Sequence, residues 1–411
     1  MKMPFGMAFW ELPQLLRTTR TKGTMMLRVS SLFGQLLQLF PRHEFQRTVH
    51  DHRAEHGAKG FSCWDQFVAM LFCQLAQAHS LREICGGLDT CLGKVVHLGI
   101  RQAPKKSTLA YANSKRPWEV YRDIFGQLLA KCRDEAPGHN FRFKNKLYSL
   151  DASVIDLAVT LFDWARFTTT KGAVKLHLLL DHDGYLPTFA HITEGNVPDL
   201  VVARTLKLPA GSIVAIDRGY IDYRLFGDWT ARGVWFVTRM KKKATYIVCA
   251  INETTRNRGV VSDLIIRLTS PAGRRDCPCD LRLVRYVDAE TGKQYEFLTN
   301  NLTLGPSTIA RIYKDRWQVE LFFKALKQNL RIKTFVGTTA NALKTQIWTA
   351  LIAILLLKYL QMKAKIGWSL STLVALLRWN LFTYRDLWRW IDDPFGVPPE
   401  TPEVVQMELA W

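Results

Sequence analysis

One predicted helix places a single acid among cations. Residues 312–327 contain no Gly or Pro, and at about 100° per residue their cations and acid share a side. The side chains on this side are those of Tyr313, Arg316, Glu320, Lys324 and Lys327. The adjacent face, with Trp317, Leu321 and Phe322, is predicted to pack in a core. Helical spacing alone fits a surface array of salt bridges and a functional site equally well.

Two more acids are predicted to lie in a sheet. Asp151 interrupts a strand pattern at residues 146–155, and Asp217 directly follows the apolar run 211–216, which is typical of a buried central strand. A carboxylate in an apolar strand is costly unless it is paired or bound to a metal. Sites in α/β sheets collect at the carboxyl edge of the strands, where Asp217 falls. If both acids converge with Glu320, they form an all-oxygen site suited to Mg²⁺ or Mn²⁺.

Such a site is typical of phosphoryl transfer. Two metal ions roughly 3.5–4 Å apart can activate an attacking oxygen and stabilise the leaving one. No set of His and Cys residues offers a competing nucleophilic centre, because His177 and His191 fall in strand patterns where a structural role is expected. Other acids of this region are expected at turns, caps or the surface: Asp156, Asp163, Asp181, Asp183 and Asp222. The eight cysteines include no C-x-x-C pair, so we expect reduced thiols and no zinc site.

The charge of the chain favours a polyanionic partner. The 411 residues include 56 Lys+Arg against 36 Asp+Glu, which gives a net charge of +20 and suits nucleic acid. A merely basic protein is the alternative that charge alone leaves open. The longest apolar run, residues 349–357, is too short for a membrane span, and no signal peptide is evident. We therefore expect a cytoplasmic protein without a membrane partner.

Changes in the hydrophobic pattern along the chain, from helical to strand-like and back, predict four segments. Residues 1–29 are expected to be a poorly ordered extension, and we expect residues 1–24 to derive from an upstream start codon because firm patterning begins after Met25 and Met26. The other segments are helices at 30–137, a mixed α/β core at 146–335 that contains a β-rich insertion at about 241–304, and C-terminal helices at 336–411.

Within residues 30–137, one basic helix is a candidate for reading DNA. Ser80 and Glu83 form a capping box, and the Gly86-Gly87 pair is predicted to end that short helix. A second helix within residues 104–117, expected to begin at a Ser/Thr cap, bears Asn113 and the cations Lys105, Lys106, Lys115 and Arg116. The arrangement is typical of a helix-turn-helix, with Asn suited to base edges and Lys/Arg to phosphates. An ordinary solvated basic helix is the alternative.

The order strand-Asp, strand-Asp, β insertion, helix-Glu resembles that of the ribonuclease-H-like DDE transposases. The spacing of Tyr313, Arg316, Glu320 and Lys327 matches, at every position, the Y-x2-R-x3-E-x6-K signature of IS-four family insertion-sequence transposases. Segments around the two strand acids, 150–153 and 217–220, and the segment 171–177 are also similar to that family. The resemblance covers nearly the whole chain except the leader.

The resemblance implies cut-and-paste transposition of an insertion sequence by metal-dependent strand cleavage and 3′-OH strand transfer. Asp151, Asp217 and Glu320 would be the catalytic acids and would hold Mg²⁺ or Mn²⁺ as two ions. Tyr313, Arg316 and Lys327 would contact DNA phosphate rather than neutralise Glu320, and we add Lys324 because it lies on the same face. Trp235 is a candidate for stacking a flipped base, although core packing suits it better.

The implied partners are the terminal inverted repeats, the target DNA and a second copy of the chain in a synaptic homodimer. In a bacterial cytoplasm the protein would be associated with the nucleoid when bound to DNA. Two other functions remain open: a catalytically inactive, domesticated DNA-binding protein and a non-transposing nuclease. Metal-dependent nicking of the element's ends separates the first from a transposase, and joining of a 3′ end to target DNA separates the second.

Overall fold

A computed structural model describes residues 30–396 except 92–93, 159, 166–171, 254–258, 331 and 333. The predicted extension at 1–29 with its proposed upstream start, Lys171 of the segment 171–177, and the last residues of the predicted C-terminal helical segment lie outside the described residues.

Among the described residues, six α-helices precede the sheet. They are α1 Leu32–Leu37, α2 Arg42–Asp51, α3 Cys63–Leu75, α4 Leu81–Asp89, α5 Lys106–Lys115 and α6 Glu119–Glu135. The capping side chain of Ser80 accepts from the backbone N–H of Glu83, as predicted. The prediction that Gly86-Gly87 ends α4 is wrong, because both residues lie inside the helix. A Cβ at Gly87 would come within 2.8 Å of the Phe72 ring, so this glycine permits close packing of α4 on α3.

The strands found in the described part of the chain form one nine-stranded sheet. They are β1 Leu147–Leu157, β2 Gly172–Asp181, β3 Leu186–Glu194, β4 Ile213–Ile216, β5 Trp235–Arg239, β6 Tyr246–Ile251, β7 Val260–Leu268, β8 Leu281–Val287 and β9 Gln294–Thr299. Its first five strands have the order β3-β2-β1-β4-β5. Strands β1, β2 and β3 are antiparallel neighbours, whereas β1, β4 and β5 run parallel. This is the mixed sheet of an α/β core that the sequence predicted.

The β-rich insertion extends the same sheet. Strand β9 pairs antiparallel with β5, and β8, β7 and β6 follow outward. The β-rich insertion predicted at about 241–304 thus contains β6 to β9, and its edge strand β6 carries Ile247 and Ile251, which are 54% and 76% exposed. A buried ion pair joins β7 to β8, with two nitrogens of Arg282 donating to the carboxylate of Asp263 at 2.7 and 2.6 Å.

Helices cover both faces of the sheet. Helices α7 Asp199–Thr205 and α8 Tyr223–Ala231 pack on one face, and α9 Pro271–Asp276 contacts α8 from the insertion. Helices α10 Pro306–Asp315 and α11 Trp317–Asn329 pack on the other. The single helix predicted at 312–327 is thus divided at Arg316. Its predicted core face is partly wrong, since Trp317 and Leu321 are 55% and 42% exposed while Phe322 is buried.

The helices before and after the sheet share one hydrophobic core. It gathers buried side chains from α3, α6, one face of the sheet and the C-terminal helices α12 Ala340–Lys363, α13 Leu370–Asn380 and α14 Leu387–Asp392. Helix α12 runs through its centre. By length and composition α12 could cross a membrane, but 83% of its most apolar window is buried inside the protein, and a core helix passes the same test.

Burial of His177 on β2 should make the free energy of unfolding depend on pH. Its ring is buried, and burial lowers its pKa to about 4, against a smaller opposing effect of Asp199. The unfolded chain takes up this proton near pH 6.5, so stability is present above that pH and is lost as the pH falls toward 4. Between pH 7.5 and 4.5, we expect wild type to lose about 2–3 kcal/mol more unfolding free energy than His177→Gln in urea titrations.

The exposed His50, whose side chain is 89% exposed, supplies the matched control. His50→Gln is expected to keep the wild-type pH dependence of unfolding. An equal loss of stability in wild type and His177→Gln over this range would contradict the assignment of a neutral, buried His177.

Candidate active site

Pairing of two parallel strands brings Asp151 beside Asp217. In the register of β1 and β4, Leu150 is opposite Ile216, so the two acids are the next residues along adjacent strands. Adjacent strands lie about 4.8 Å apart. Asp151 lies on the face of β1 against which α11 packs, and α11 carries Glu320 in its first turn. Sheet register and helix packing therefore bring the three predicted acids into one region.

Arg316 joins two of these acids directly. Its Nη1 donates to Asp151 Oδ2 at 3.2 Å, and its Nη2 donates to Glu320 Oε1 at 2.6 Å. The Arg316 side chain is only 9% exposed. The expectation that this cation does not neutralise Glu320 is therefore wrong for the metal-free protein, where a guanidinium bridges two carboxylates from different elements.

Asp217 has its own partners. The Tyr313 hydroxyl donates to Asp217 Oδ1 at 3.2 Å, and Arg239 Nη2 donates to the same oxygen at 3.3 Å. The guanidinium carbons of Arg239 and Arg316 each lie 5.5 Å from the centre of the Tyr313 ring. Tyr313 is thus held between two cations and the second acid.

These surroundings shift the two strand acids in opposite directions. Burial raises the pKa of Asp151 to about 6, although the backbone N–H of Ala152 and the charge of Arg316 act the other way. For Asp217, burial also tends to raise the pKa, but the backbone N–H of Arg218 and the charges of Arg316 and Arg239 outweigh burial and hold the pKa below its ordinary value. Asp217 is therefore ionised over a wider pH range than Asp151.

The donor set fits a hard divalent cation, with one obstacle. Carboxylates are the ligands that Mg²⁺ and Mn²⁺ take in phosphoryl-transfer sites, and these three are neither fully buried nor fully exposed. Within the described part of the chain, however, no three His, Cys, Asp or Glu side chains lie close enough to hold a metal ion as they stand. The guanidinium of Arg316 between Asp151 and Glu320 supplies the positive charge in that region.

The other two cations predicted on α11 lie farther along the helix. Lys327 Nζ donates to the carbonyl of Val154 on β1 at 2.8 Å, and Lys324 is exposed. Both are C-terminal to Glu320 on the same helix, and their predicted contacts with DNA phosphate stay predictions.

The predicted N-terminal DNA contacts lie on or beside α5, which packs against α3, α4 and α12. Lys105, Lys106 and Lys115 are exposed. Arg116 is instead a structural residue, because its guanidinium donates to the carbonyls of Phe61 and Ser62, the latter at 2.8 Å.

Two details predicted for α5 are also wrong. Asn113 is 1% exposed and accepts from Gln66 Nε2 at 2.9 Å, so it cannot reach base edges. The helix begins at Lys106 without a side-chain cap, rather than at the predicted Ser/Thr cap. Of the residues predicted to contact DNA from this segment, Lys105, Lys106 and Lys115 are exposed.

Sequence reasoning missed Arg239 as a partner of the second acid. It is the last residue of β5, which runs parallel to β4, so Arg239 falls at the same carboxyl edge as Asp217. A polar residue at the end of a buried parallel strand was the available signal, because that edge is where α/β sheets place their sites. Trp235, at the other end of β5, is partly buried and packs in the core beneath α10, as its core-packing interpretation requires.

Comparisons with known proteins give two family matches, one in the N-terminal helical region and one that covers the sheet and the first helices after it. Residues 144–356 match the family model of a transposase DDE domain, and residues 28–101 match that of a domain of unknown function (DUF4372). A protein named as a transposase, y4zB of Sinorhizobium fredii, is 32% identical over 292 residues, which cover 69% of this chain and 80% of that protein.

Two further similarities are more distant. A protein of Geobacillus stearothermophilus, named as a transposase of insertion sequence element IS5377, is 28% identical over 269 residues that cover 64% of this chain and 70% of that protein. A solved synaptic complex of the piggyBac transposase with hairpin DNA is 12% identical, and the match covers 92% of this chain and 84% of that one. Its TM-score of 0.42 is too low to bear on the fold or the function.

Proposed function

This chain belongs to the insertion-sequence transposases with a DDE domain, and from that premise we propose that Asp151, Asp217 and Glu320 are its catalytic acids. The reaction of the family is transposition, which requires cutting and joining of DNA phosphodiesters. One observation carries the assignment: Asp151 and Glu320, from a strand and a helix, meet at one guanidinium while Asp217 lies on the adjacent strand.

Enzymes of this family depend on divalent metal ions, and we propose two Mg²⁺ or Mn²⁺ ions held by the three acids. When bound, such ions polarise the phosphate and lower the pKa of an attacking water. The carboxylates of Asp151, Asp217 and Glu320 fit this purpose as oxygen ligands from three elements of a rigid core. Asp151 must be deprotonated to serve, and its raised pKa of about 6 leaves it largely ionised at neutral pH.

The cations around the acids have a second role on DNA. Arg316 would leave its two carboxylates and bind a phosphate near the cut, where it stabilises the charge that develops. The Nε atoms of Arg316 and Arg239 support this role, since both are buried and have no hydrogen-bond partner among the described residues. Tyr313, which the sequence predicted to contact a phosphate, is 9% exposed and donates to Asp217, so we propose that it orients Asp217 instead. Lys324 and Lys327 would contact phosphates farther along the strand.

DNA is the partner of this chain, and we assign the exposed lysines of the N-terminal helices to the terminal inverted repeats. Target DNA would bind at the acids. A homodimer would hold two ends in one synaptic complex, and the bacterial cytoplasm would be its compartment. Lys105, Lys106 and Lys115 form the proposed end-binding set, since Arg116 is engaged within the protein.

If the lysines of α5 contact DNA phosphates, replacing them should reduce the salt dependence of end binding. Each phosphate contact contributes about one unit to the slope of log affinity against log salt concentration. We expect the double variant Lys106→Ala/Lys115→Ala to reduce that slope by about 2 and to weaken binding at 150 mM salt by roughly tenfold or more. Lys365, whose side chain is 84% exposed at the other end of the chain, is the control. Lys365→Ala should change neither quantity, and an unchanged slope in the double variant would remove α5 from the DNA interface.

A strand-transfer assay tests the proposed function. Inverted repeats flanking the gene supply the substrate, as labelled duplexes that carry one element end, incubated with a supercoiled target and Mg²⁺. We expect cleavage at the element boundary and joining of the new 3′ end to the target. Cleavage without joining would indicate a nuclease, and binding without cleavage in Mg²⁺ or Mn²⁺ would indicate an inactive DNA-binding protein.

A further inference from the structure

Beside the acids lies a buried chain of hydrogen bonds that the proposed reaction does not use. Ser149 Oγ lies 2.7 Å from His182 Nε2, and His182 Nδ1 lies 2.6 Å from Asp315 Oδ2. Ser149 and His182 are 0% and 1% exposed. The Tyr185 hydroxyl also donates to the Asp315 carboxylate, at 3.4 Å. We call Ser149, His182 and Asp315 the β1–α10 network.

The donors and acceptors of the network are complementary. The Asp315 carboxylate is an acceptor, so a neutral imidazole of His182 would carry its proton on Nδ1, and its Nε2 would then accept from the Ser149 hydroxyl. With this tautomer each of the three side chains has a partner within the network. Loss of any one member would leave another polar group buried without its partner.

The same order of groups occurs in enzymes with a nucleophilic serine. Here the serine is in the middle of a central strand and is 0% exposed, so no substrate carbonyl or phosphate can reach its oxygen. The network therefore joins parts of the fold and is not a second catalytic centre.

The parts it joins are those that carry the proposed catalytic acids. Ser149 lies two residues before Asp151 on β1, and Asp315 is the last residue of α10, directly before Arg316. His182 is anchored to β1 a second time, because its backbone N–H donates to the carbonyl of Leu147 at 2.9 Å. The network thus links the junction between α10 and α11, next to Arg316, to strand β1, which carries Asp151.

We propose that Ser149, His182 and Asp315 are positioning residues that set the location of Arg316 and Glu320 relative to Asp151. The inference rests on the proposed function for its catalytic consequence, but the fixed junction is a property of the protein alone. Helix α11 begins at Trp317, so a shift of the junction moves the first turn of α11, which carries Glu320. Displacement of a reacting group by about 1 Å can cost about 100-fold in rate.

Asp315→Ala and His182→Ala test the proposal in the full chain. In the complex saturated with end DNA, we expect each to slow single-turnover cleavage by about 10- to 100-fold. The dissociation constant for end DNA should change less than about twofold, and half-maximal cleavage should need several-fold more Mn²⁺. Asp315→Asn keeps an acceptor for His182 Nδ1 and should regain most of the rate.

A second measurement needs neither DNA nor activity. Hydrogen exchange of the metal-free protein should show at least about tenfold faster exchange for amides 317–323 in Asp315→Ala than in wild type. Asn113→Ala is the control, because Asn113 is as buried as His182 and is hydrogen-bonded but lies on α5. At a similar loss of melting temperature it should leave the exchange of 317–323 and the saturated cleavage rate close to wild type.

Unchanged exchange in 317–323 in Asp315→Ala would overturn the proposal, as would a saturated rate within threefold of wild type in an assay where wild type cleaves. Labelling of Ser149 by a fluorophosphonate probe would overturn it as well, because it would make Ser149 a nucleophile. If wild type itself fails to cleave, the proposed function fails, and hydrogen exchange alone decides the role of the network.

Discussion

Glu320→Gln is expected to lower strand cleavage by about 10³-fold or more while leaving end binding within about twofold of wild type. The amide keeps the shape of the side chain but removes one of three anionic ligands. A bound metal contributes several kcal/mol to transition-state stabilisation, and each ~1.4 kcal/mol is a factor of ten in rate. Single-turnover cleavage of a labelled end, with a parallel gel-shift titration, measures both quantities.

The control has the same change of charge at an exposed site. Glu290 is 79% exposed and pairs with Lys314, and Glu290→Gln should cleave like wild type. Cleavage by Glu320→Gln within tenfold of wild type would remove Glu320 from the catalytic set. Loss of end binding together with cleavage would instead indicate a structural role for the side chain.

Arg316→Met is expected to have two effects of opposite sign. Without DNA, Mn²⁺ should bind at least about tenfold more tightly, because no guanidinium competes with the ion for Asp151 and Glu320. With DNA, cleavage should fall by about 10²-fold or more, because the cation that would hold the phosphate is gone. Calorimetric titration of Mn²⁺ and single-turnover cleavage separate the two.

Without bound metal, Arg316→Met should also have a lower free energy of unfolding than wild type. Removing one partner of a fully buried ion pair costs about 3–5 kcal/mol, and the loss here should be smaller because Asp151 and Glu320 are 21% and 33% exposed. The melting temperature should drop, and Mn²⁺ should restore it. Arg311→Ala is the matched control, since Arg311 is exposed on the preceding helix over the ring of Phe141. Weaker Mn²⁺ binding by Arg316→Met would contradict the view that Arg316 occupies the region of the metal.

Strand and helix periodicity predicted the sheet that carries the site. Asp151 and Asp217 stood out because an acid in or after an apolar strand is costly without a partner. Their neighbourhood follows from the parallel pairing of β1 with β4, which a βαβ-like order of elements predicts. The signature spacing then predicted Glu320 as the third acid. These inferences depend on local pattern and chain order, both of which a sequence contains.

The errors occur where tertiary contacts override a local rule. The division at Arg316 was not visible in a stretch of good helix formers, and the face with Trp317 and Leu321 was predicted to be buried. Gly86 and Gly87 are of a residue type that often ends helices, yet α4 continues through both. The lack of a side chain at Gly87 lets the ring of Phe72 pack against the helix. Asn113 has the chemistry of a base reader but is buried against Gln66.

Partners of charged groups were the least predictable part. Spacing placed Arg316 near Glu320 at i and i+4, but its second bond, to Asp151 on a strand 165 residues away in sequence, depends on the packing of α11. The same holds for the β1–α10 network, whose three members come from β1, the β2–β3 turn and α10. No periodicity encodes such a meeting, because it exists only after the elements have packed.

We propose that Asp151, Asp217 and Glu320 together hold the metal used in strand cleavage. Anomalous diffraction from Mn²⁺ in crystals of the protein bound to a cleaved element end tests it most directly. We expect peaks with oxygens of all three carboxylates at about 2.0–2.3 Å and with the Arg316 guanidinium moved from Asp151 and Glu320 to a DNA phosphate. Well-ordered DNA ends with manganese bound elsewhere, or with Arg316 still between the two carboxylates, would contradict the account.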